Sequence, residues 1–157
     1  MVIGVGNRYR RDDGVGPEVA AAVEALRLPG VRVLRCGTET TAILDAWDGA
    51  GLAVVVDAAV VDAAVGGTPG RVRQCALDDL AAQTPVSSHE LSLRQTYELA
   101  RALDRAPGSV VVVTVDVADT GHGVGLSAAV AAALPELVRV VQRVVGQQTQ
   151  EAGHQQP

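Results

Sequence analysis

Apolar and polar positions alternate along this chain in blocks that read as strands separated by helices. Met1-Val2-Ile3 is an apolar start that runs directly into Gly4-Val5-Gly6-Asn7, the pattern of a short buried strand ending in a tight, sterically open loop. Gly16-Pro17 and the alanine- and valine-rich run after it predict a helix to about Leu26, because proline suits the first helical position. After the turn Leu28-Pro29-Gly30, Val31 to Arg35 predicts a second strand ending at Cys36-Gly37-Thr38. Thr38 or Thr40 is a candidate cap for a short helix through Ala42 to Trp47. Leu52 to Asp57 is a continuous apolar run closed by a carboxylate, the mark of a central strand covered on both faces. Gly66 to Gly70 is a turn cluster, and Arg71 to Cys75 alternates like a strand with one wet face. No long helix fits between Asp57 and Arg71, so that strand is expected to be antiparallel.

The second half repeats the alternation. A helix is predicted from about Ser88 to Leu103, then a buried strand over Ser109 to Val115, then a last helix from Leu126 to Val145. Leu134, Leu137, Val138, Val141 and Val145 stand at helical spacing in that helix, and Pro135 is expected to kink it or to mark its real start. From Gln147 the chain is polar and is expected to be a disordered tail, leaving residues 1–146 as a single domain.

Composition narrows the class. At 157 residues the chain is long enough to bury one real core, and with 48% hydrophobic but only 2% aromatic residues and no Phe, that core is built from Val, Leu and Ala. A net charge of −5 argues against nucleic acid as the partner, since phosphate contacts need clustered positive charge. Arg8, Arg10 and Arg11 form a small basic cluster that reads as a solvated loop. All 13 basic residues are Arg, and the lack of Lys removes the P-loop and every lysine Schiff-base mechanism. Cys36 and Cys75 fit no Cys-x-x-Cys pattern and read as buried small hydrophobes in a reducing cytoplasm. With no signal segment and no apolar span long enough for a bilayer, the expected protein is cytoplasmic and free of the membrane.

The chemistry lies in a few polar groups at the ends of apolar elements. Asp12 and Asp13 fall on a loop at the carboxyl end of the first strand, where open α/β sheets bind ligands. Asp57 ends a strand otherwise made of Val, Leu and Ala, and a carboxylate there must be solvated, paired or bound to a cation. Ser87-Ser88-His89-Glu90 matches a capping box, which places His89 in the first turn of a helix. There the helix dipole disfavours imidazolium and favours the neutral, metal-binding form. Each group also has a plainer reading, as a solvated strand-end Asp or a surface His, and Asp12 and Glu18 rival Asp13. Two carboxylates and an imidazole make a divalent-metal set, provided the topology brings them together.

Other sites are weaker. The opening glycines lack the third glycine of a dinucleotide fingerprint, and Cys36-Gly37 stands where an acidic residue would hold a ribose. No Gly-x-Ser-x-Gly elbow is present. Cys36 is a safer structural residue than thiol nucleophile, His122 lies in a glycine-rich loop, and His154 lies in the tail.

Taken in order, these pieces resemble the hydrogenase maturation endopeptidases, which trim the C-terminus of the large subunit of nickel-iron hydrogenases. The resemblance rests on Gly4-Val5-Gly6-Asn7 with Asp12 to Gly16, Cys36-Gly37-Thr38, Val55-Val56-Asp57-Ala58, Thr68-Pro69-Gly70, Ser88 to Leu93, and Gly123 to Ser127. It implies an α/β fold, a three-layer α/β/α sandwich around a mixed, mostly parallel five-stranded sheet. It implies a metal-binding trio at Asp13, Asp57 and His89, the first of which is often Glu in the family, and substrate contacts at Gly37 and Thr38. The nickel is then supplied by the hydrogenase large-subunit precursor, with no resident organic cofactor, and the protease is expected to be a monomer. Two other readings are a non-proteolytic assembly partner or metal-sensing chaperone of the same fold, and a small nucleotide-binding domain. The missing lysine and third glycine count against the last.

Overall fold

Valine runs form the middle of the molecule because β-branched side chains suit a pleated surface buried on both faces. A computed structural model describes residues 1–37, 39–62, 66–82 and 88–154, with the backbone alone for 80–82, 88–91 and 149–154. Among these residues five strands, β1 (Val2–Val5), β2 (Val33–Cys36), β3 (Leu52–Val60), β4 (Val72–Ala76) and β5 (Ser109–Val117), make one sheet in the order β2-β1-β3-β5-β4. All neighbours are parallel except β4, which runs antiparallel to β5 from Val72 opposite Val115 to Ala76 opposite Val111. The short connection from β3 to β4 leaves no room for a crossover helix, as the sequence predicts.

Among the described residues four helices, α1 (Val15–Ala25), α2 (Thr40–Trp47), α3 (Ser88–Ala102) and α4 (Ala128–His154), cover the two faces. Strand alternation sorts the side chains. Val54, Val56, Val113 and Val115 face Val15, Val19 and Val23 of α1 and Leu137, Val141 and Val144 of α4. Ile3, Val55, Val110 and Val112 face Ile43, Leu44 and Trp47 of α2 and Leu93 and Ala100 of α3. The result is the three-layer sandwich. Trp47 is fully buried and meets the Tyr97 ring edge-on, with centroids 6.0 Å apart, so these two aromatics anchor one layer of an otherwise aliphatic core.

Several local expectations shift. Asp12 and Asp13 lie in a 3-10 turn (Arg11–Gly14) that feeds straight into α1, so the helix begins at Val15 rather than at Pro17. Pro17 stays within the first turn, where its missing N–H leaves no intrahelical bond unmade. Another 3-10 segment, Leu77–Ala82, follows β4. α4 starts at Ala128, passes through Pro135 and continues beyond Gln147 to His154, where the polar composition suggested a disordered tail. Burial of Val130, Ala133, Leu137 and Val140 on either side of Pro135 outweighs the one hydrogen bond the proline removes. Both cysteines remain thiols and are half-buried rather than buried, at the margin of the α2/α3 face. Thr40 is the first residue of α2 and not its cap; Glu39 holds the cap position with no side-chain cap bond, and Thr38 lies outside the described residues. Among the described residues no helix is long and apolar enough to cross a membrane.

Candidate active site

The chain leaves β1 to form α1 and β2 on one side and returns to β3 on the other. The carboxyl ends of β1 and β3 therefore frame the crevice at which the strand order reverses, the ligand position of open α/β sheets. Gly4 pairs with Val56, so Asp57 is level with the end of β1. β3 does not stop at Asp57, as the apolar run suggested, but continues to Val60 alongside β5, with Asp57 opposite Thr114. Asp57 thus has a strand on one side and, where β1 has ended, the turn leading to α1 on the other. That 3-10 turn packs directly on β3.

Two glycines make this approach possible. Gly16, at the start of α1, lies against the carbonyl oxygens of Val5 and Val56, and a Cβ there would stand 2.6 Å from the latter. Gly6 has φ +143° and faces the carbonyl oxygen of Asp13, which no side chain would permit. The opening glycines serve close backbone contact, not a phosphate.

Asp13 is only 6% exposed. Its Oδ2 accepts the backbone N–H of Asn7 at 2.9 Å, and its own N–H donates to the carbonyl of Arg10 at 3.1 Å. No cation of the protein pairs with it among the described residues. Its place just before α1 puts the charge at the positive end of the helix dipole. Asp57 is equally buried, and its Oδ1 accepts the N–H of Ala58 at 2.8 Å. By alternation its side chain shares the face of Ala53 and Val55, the face on which α3 packs, and His89 is in the first turn of α3. The His89 side chain lies outside the described residues, as does Ser87, the expected cap. Among the described residues no three His, Cys, Asp or Glu side chains form a metal cluster.

Cys36 reports the field around this edge. Burial first, then the carboxylates of Glu39 and Asp57, push its thiol up to about 11. A thiol so shifted stays neutral near pH 7, where it is a poor nucleophile. The same negative field favours a cation in the crevice. Beside it opens a cleft of about 580 Å³ whose wall includes Gly6, Tyr9, Glu18, Cys36, Gly37 and Glu39. A second, of about 320 Å³, runs from Arg8 and Glu18 to Val124 and Leu126. Glu18 is exposed between the two, and Gly37 lines the first; Thr38 lies outside the described residues.

The two rivals in the opening loop separate cleanly. Asp13 stands at the β1/β3 crevice, whereas Asp12 is turned to the start of α4, where its Oδ1 accepts the N–H of Ser127 at 2.6 Å. No local pattern could have revealed that partner, 115 residues away.

The sequence matches the hydrogenase maturation protease (HycI) family over residues 17–144. No curated protein matches the chain significantly. Among solved structures, it is similar to the hydrogenase maturating endopeptidase HybD from E. coli, at 21% identity and TM-score 0.77 over 94% of this chain and 91% of that one. The [NiFe] hydrogenase maturation protease HybD from Thermococcus kodakarensis superposes with TM-score 0.75 at 20% identity, over 91% of this chain and 96% of that one. A hydrogenase 2 maturation peptidase from Thaumarchaeota archaeon SCGC_AB-539-E09 does so with TM-score 0.66 at 25% identity, over 92% and 96%. These likenesses establish the fold. The family match spans most of the sandwich, from the first turn of α1 well into α4, and with it the chain belongs to the hydrogenase maturation protease family.

Proposed function

We propose that this protease removes the C-terminal extension from the nickel-loaded precursor of a nickel-iron hydrogenase large subunit, working as a monomer in the cytoplasm. Asp13, Asp57 and His89 engage the nickel that the precursor brings, and the scissile peptide lies beside it, against Gly37 and Thr38. The observation that carries this reading is the seat of Gly16 on the Val5 and Val56 carbonyls, which sets the Asp13 turn beside Asp57 at the switch point of the sheet. Two buried carboxylates, joined by the imidazole of a histidine in the first turn of α3, are a donor set suited to a divalent transition metal. The scissile carbonyl is polarised, or a water activated, by the substrate's own nickel.

The test is to incubate the purified chain with nickel-loaded and nickel-free precursor and to follow the released C-terminal peptide by mass spectrometry. Wild type is expected to release it from the loaded precursor alone, and His89→Ala to release none while melting at the wild-type temperature. Release by His89→Ala at the wild-type rate overturns the assignment of His89. Binding of the precursor without any released peptide overturns the proteolytic reading.

A further inference from the structure

The 3-10 turn that carries Asp13 is tied down from outside the sheet. The segment between β5 and α4, residues 118–127, runs alongside it and is joined to it by a ladder of backbone bonds. Gly123 N–H donates to the Tyr9 carbonyl at 2.9 Å, Arg11 N–H to Gly123 at 3.0 Å and Asp12 N–H to Asp119 at 3.1 Å, with a parallel bridge between Arg10 and Gly123. Side chains add to it: Arg11 Nη1 meets Asp119 Oδ2 at 2.9 Å, Arg11 Nε the His122 carbonyl at 3.4 Å, and Arg10 Nε the Thr120 carbonyl at 3.3 Å. The clamp holds Arg11 at φ +46°, a left-handed conformation that L-residues adopt at a cost.

Asp12 closes the clamp. Its side chain is 1% exposed, and the 2.6 Å bond of Oδ1 to the Ser127 N–H reaches the start of α4, where the Ser127 carbonyl accepts the first helical bond, from Ala131. A buried carboxylate is tolerated only where donors and positive potential meet it, and a helix N-terminus offers both. Asp12 and Asp13 are consecutive, so whatever holds the first limits where the second can stand. The bond from Asn7 N–H to Asp13 Oδ2 lies on the other side of the same short turn.

We infer that Asp12 is a positioning residue: through Ser127 it braces the Asp13 turn against α4, and residues 119–127 are the brace that sets the Asp13 carboxylate at the crevice. Its effect on cleavage rests on the proposed contact of Asp13 with the substrate's nickel; the mechanical part does not. The basic cluster and the His122 loop thereby acquire a role, since Arg10, Arg11 and the His122 carbonyl are members of the brace.

Amide hydrogen exchange by NMR and cleavage kinetics on the full chain test this, with Asp12→Ala, Asp12→Asn and Asp13→Ala. Asp12→Ala is expected to lose protection at Ser127 and also at Asn7, and to lower kcat/KM by about 10²-fold, the scale of a small misplacement at a reacting centre. Asp12→Asn, which keeps an oxygen acceptor at Oδ1, is expected to restore protection at both amides and most of the activity, a rescue that a general loss of packing would not show. Protection of Asn7 unchanged in Asp12→Ala, with Ser127 released, overturns the brace. If Asp12→Ala does not fold, Arg11→Ala removes only exposed members of the brace, and Asn7 exchange no faster than wild type in that variant overturns it equally. Wild-type cleavage by Asp13→Ala, with Asn7 still freed in Asp12→Ala, keeps the brace and removes the reading of Asp13 as a substrate contact.

Discussion

Gly16 lies beneath the backbone of Val56 so closely that a Cβ would stand 2.6 Å from the Val56 carbonyl oxygen, and this contact between the start of α1 and the centre of the sheet sets the position of the Asp13 turn. Neither partner can yield, since one is helix backbone and the other a hydrogen-bonded strand. Gly16→Ala is therefore expected to cost about 1–3 kcal/mol, the usual penalty of overpacking, by pushing α1 outward. Because Asp13 moves with α1, cleavage should fall by about 10²-fold even well below the melting temperature. Urea unfolding together with kinetics at 25 °C checks this; a destabilised variant with full activity would separate Asp13 from the Gly16 seat.

Asp116 on β5 is fully buried, and its Oδ2 meets Arg73 Nη2 of the neighbouring β4 at 2.7 Å. Arg73→Ala leaves that carboxylate without its cation. Losing one partner of a buried pair usually costs about 3–5 kcal/mol, and because the Arg73 side chain is 41% exposed, water offsets part of that; about 2–3 kcal/mol is expected. Asp116→Asn in the Arg73→Ala background should recover much of the loss, since the neutral amide needs no cation. Chemical denaturation of the two single variants and the double variant measures the coupling, and additive losses would contradict it.

The Cys36 thiol gives the fold a signature at alkaline pH. Burial and the Glu39 and Asp57 carboxylates raise it from 9.0 to about 11. Below pH 9 the thiol is protonated in both folded and unfolded chains, and its contribution is fully present. From about pH 9 to 11 the unfolded thiol ionises while the folded one keeps its proton, so the native state binds more protons and stability falls as pH rises. Wild type should lose stability relative to Cys36→Ala across that window and not below it. Near pH 8, iodoacetamide should modify Cys36 in the native protein about 10²-fold more slowly than an unshifted thiol, read by peptide mass spectrometry. Rapid native alkylation at Cys36 would contradict the burial and the nearby charge.

Much of this was legible from residue order. The valine runs, the antiparallel β4 and the helix over Ser88 to Ala102 follow from periodicity, β-branching and the length of the connections. Asp13 and Asp57 were recognisable as candidates because each is a carboxylate against an apolar strand. The apolar run ends at Asp57, but β3 runs on, because Ala58 to Val60 pair with Val115 to Val117 of β5, which no local pattern encodes. The sequence predicts a loop where the structure has a 3-10 turn, because the geometry is imposed from outside, by the bonds of residues 9–12 to residues 119–127.

The sequence by itself determined the kinds of element, their order along the chain, an aliphatic core without Phe, and the residue types of the candidate site, since these depend on side-chain chemistry and on contacts within a few residues. Tertiary structure alone decided that β1 ends level with Asp57, that Gly16 is seated on Val56, and that Asp12 faces α4 while Asp13 faces the crevice. Those outcomes depend on strand order and on backbone contacts between segments far apart in the chain, and a carboxylate carries no local mark of which distant N–H will meet it.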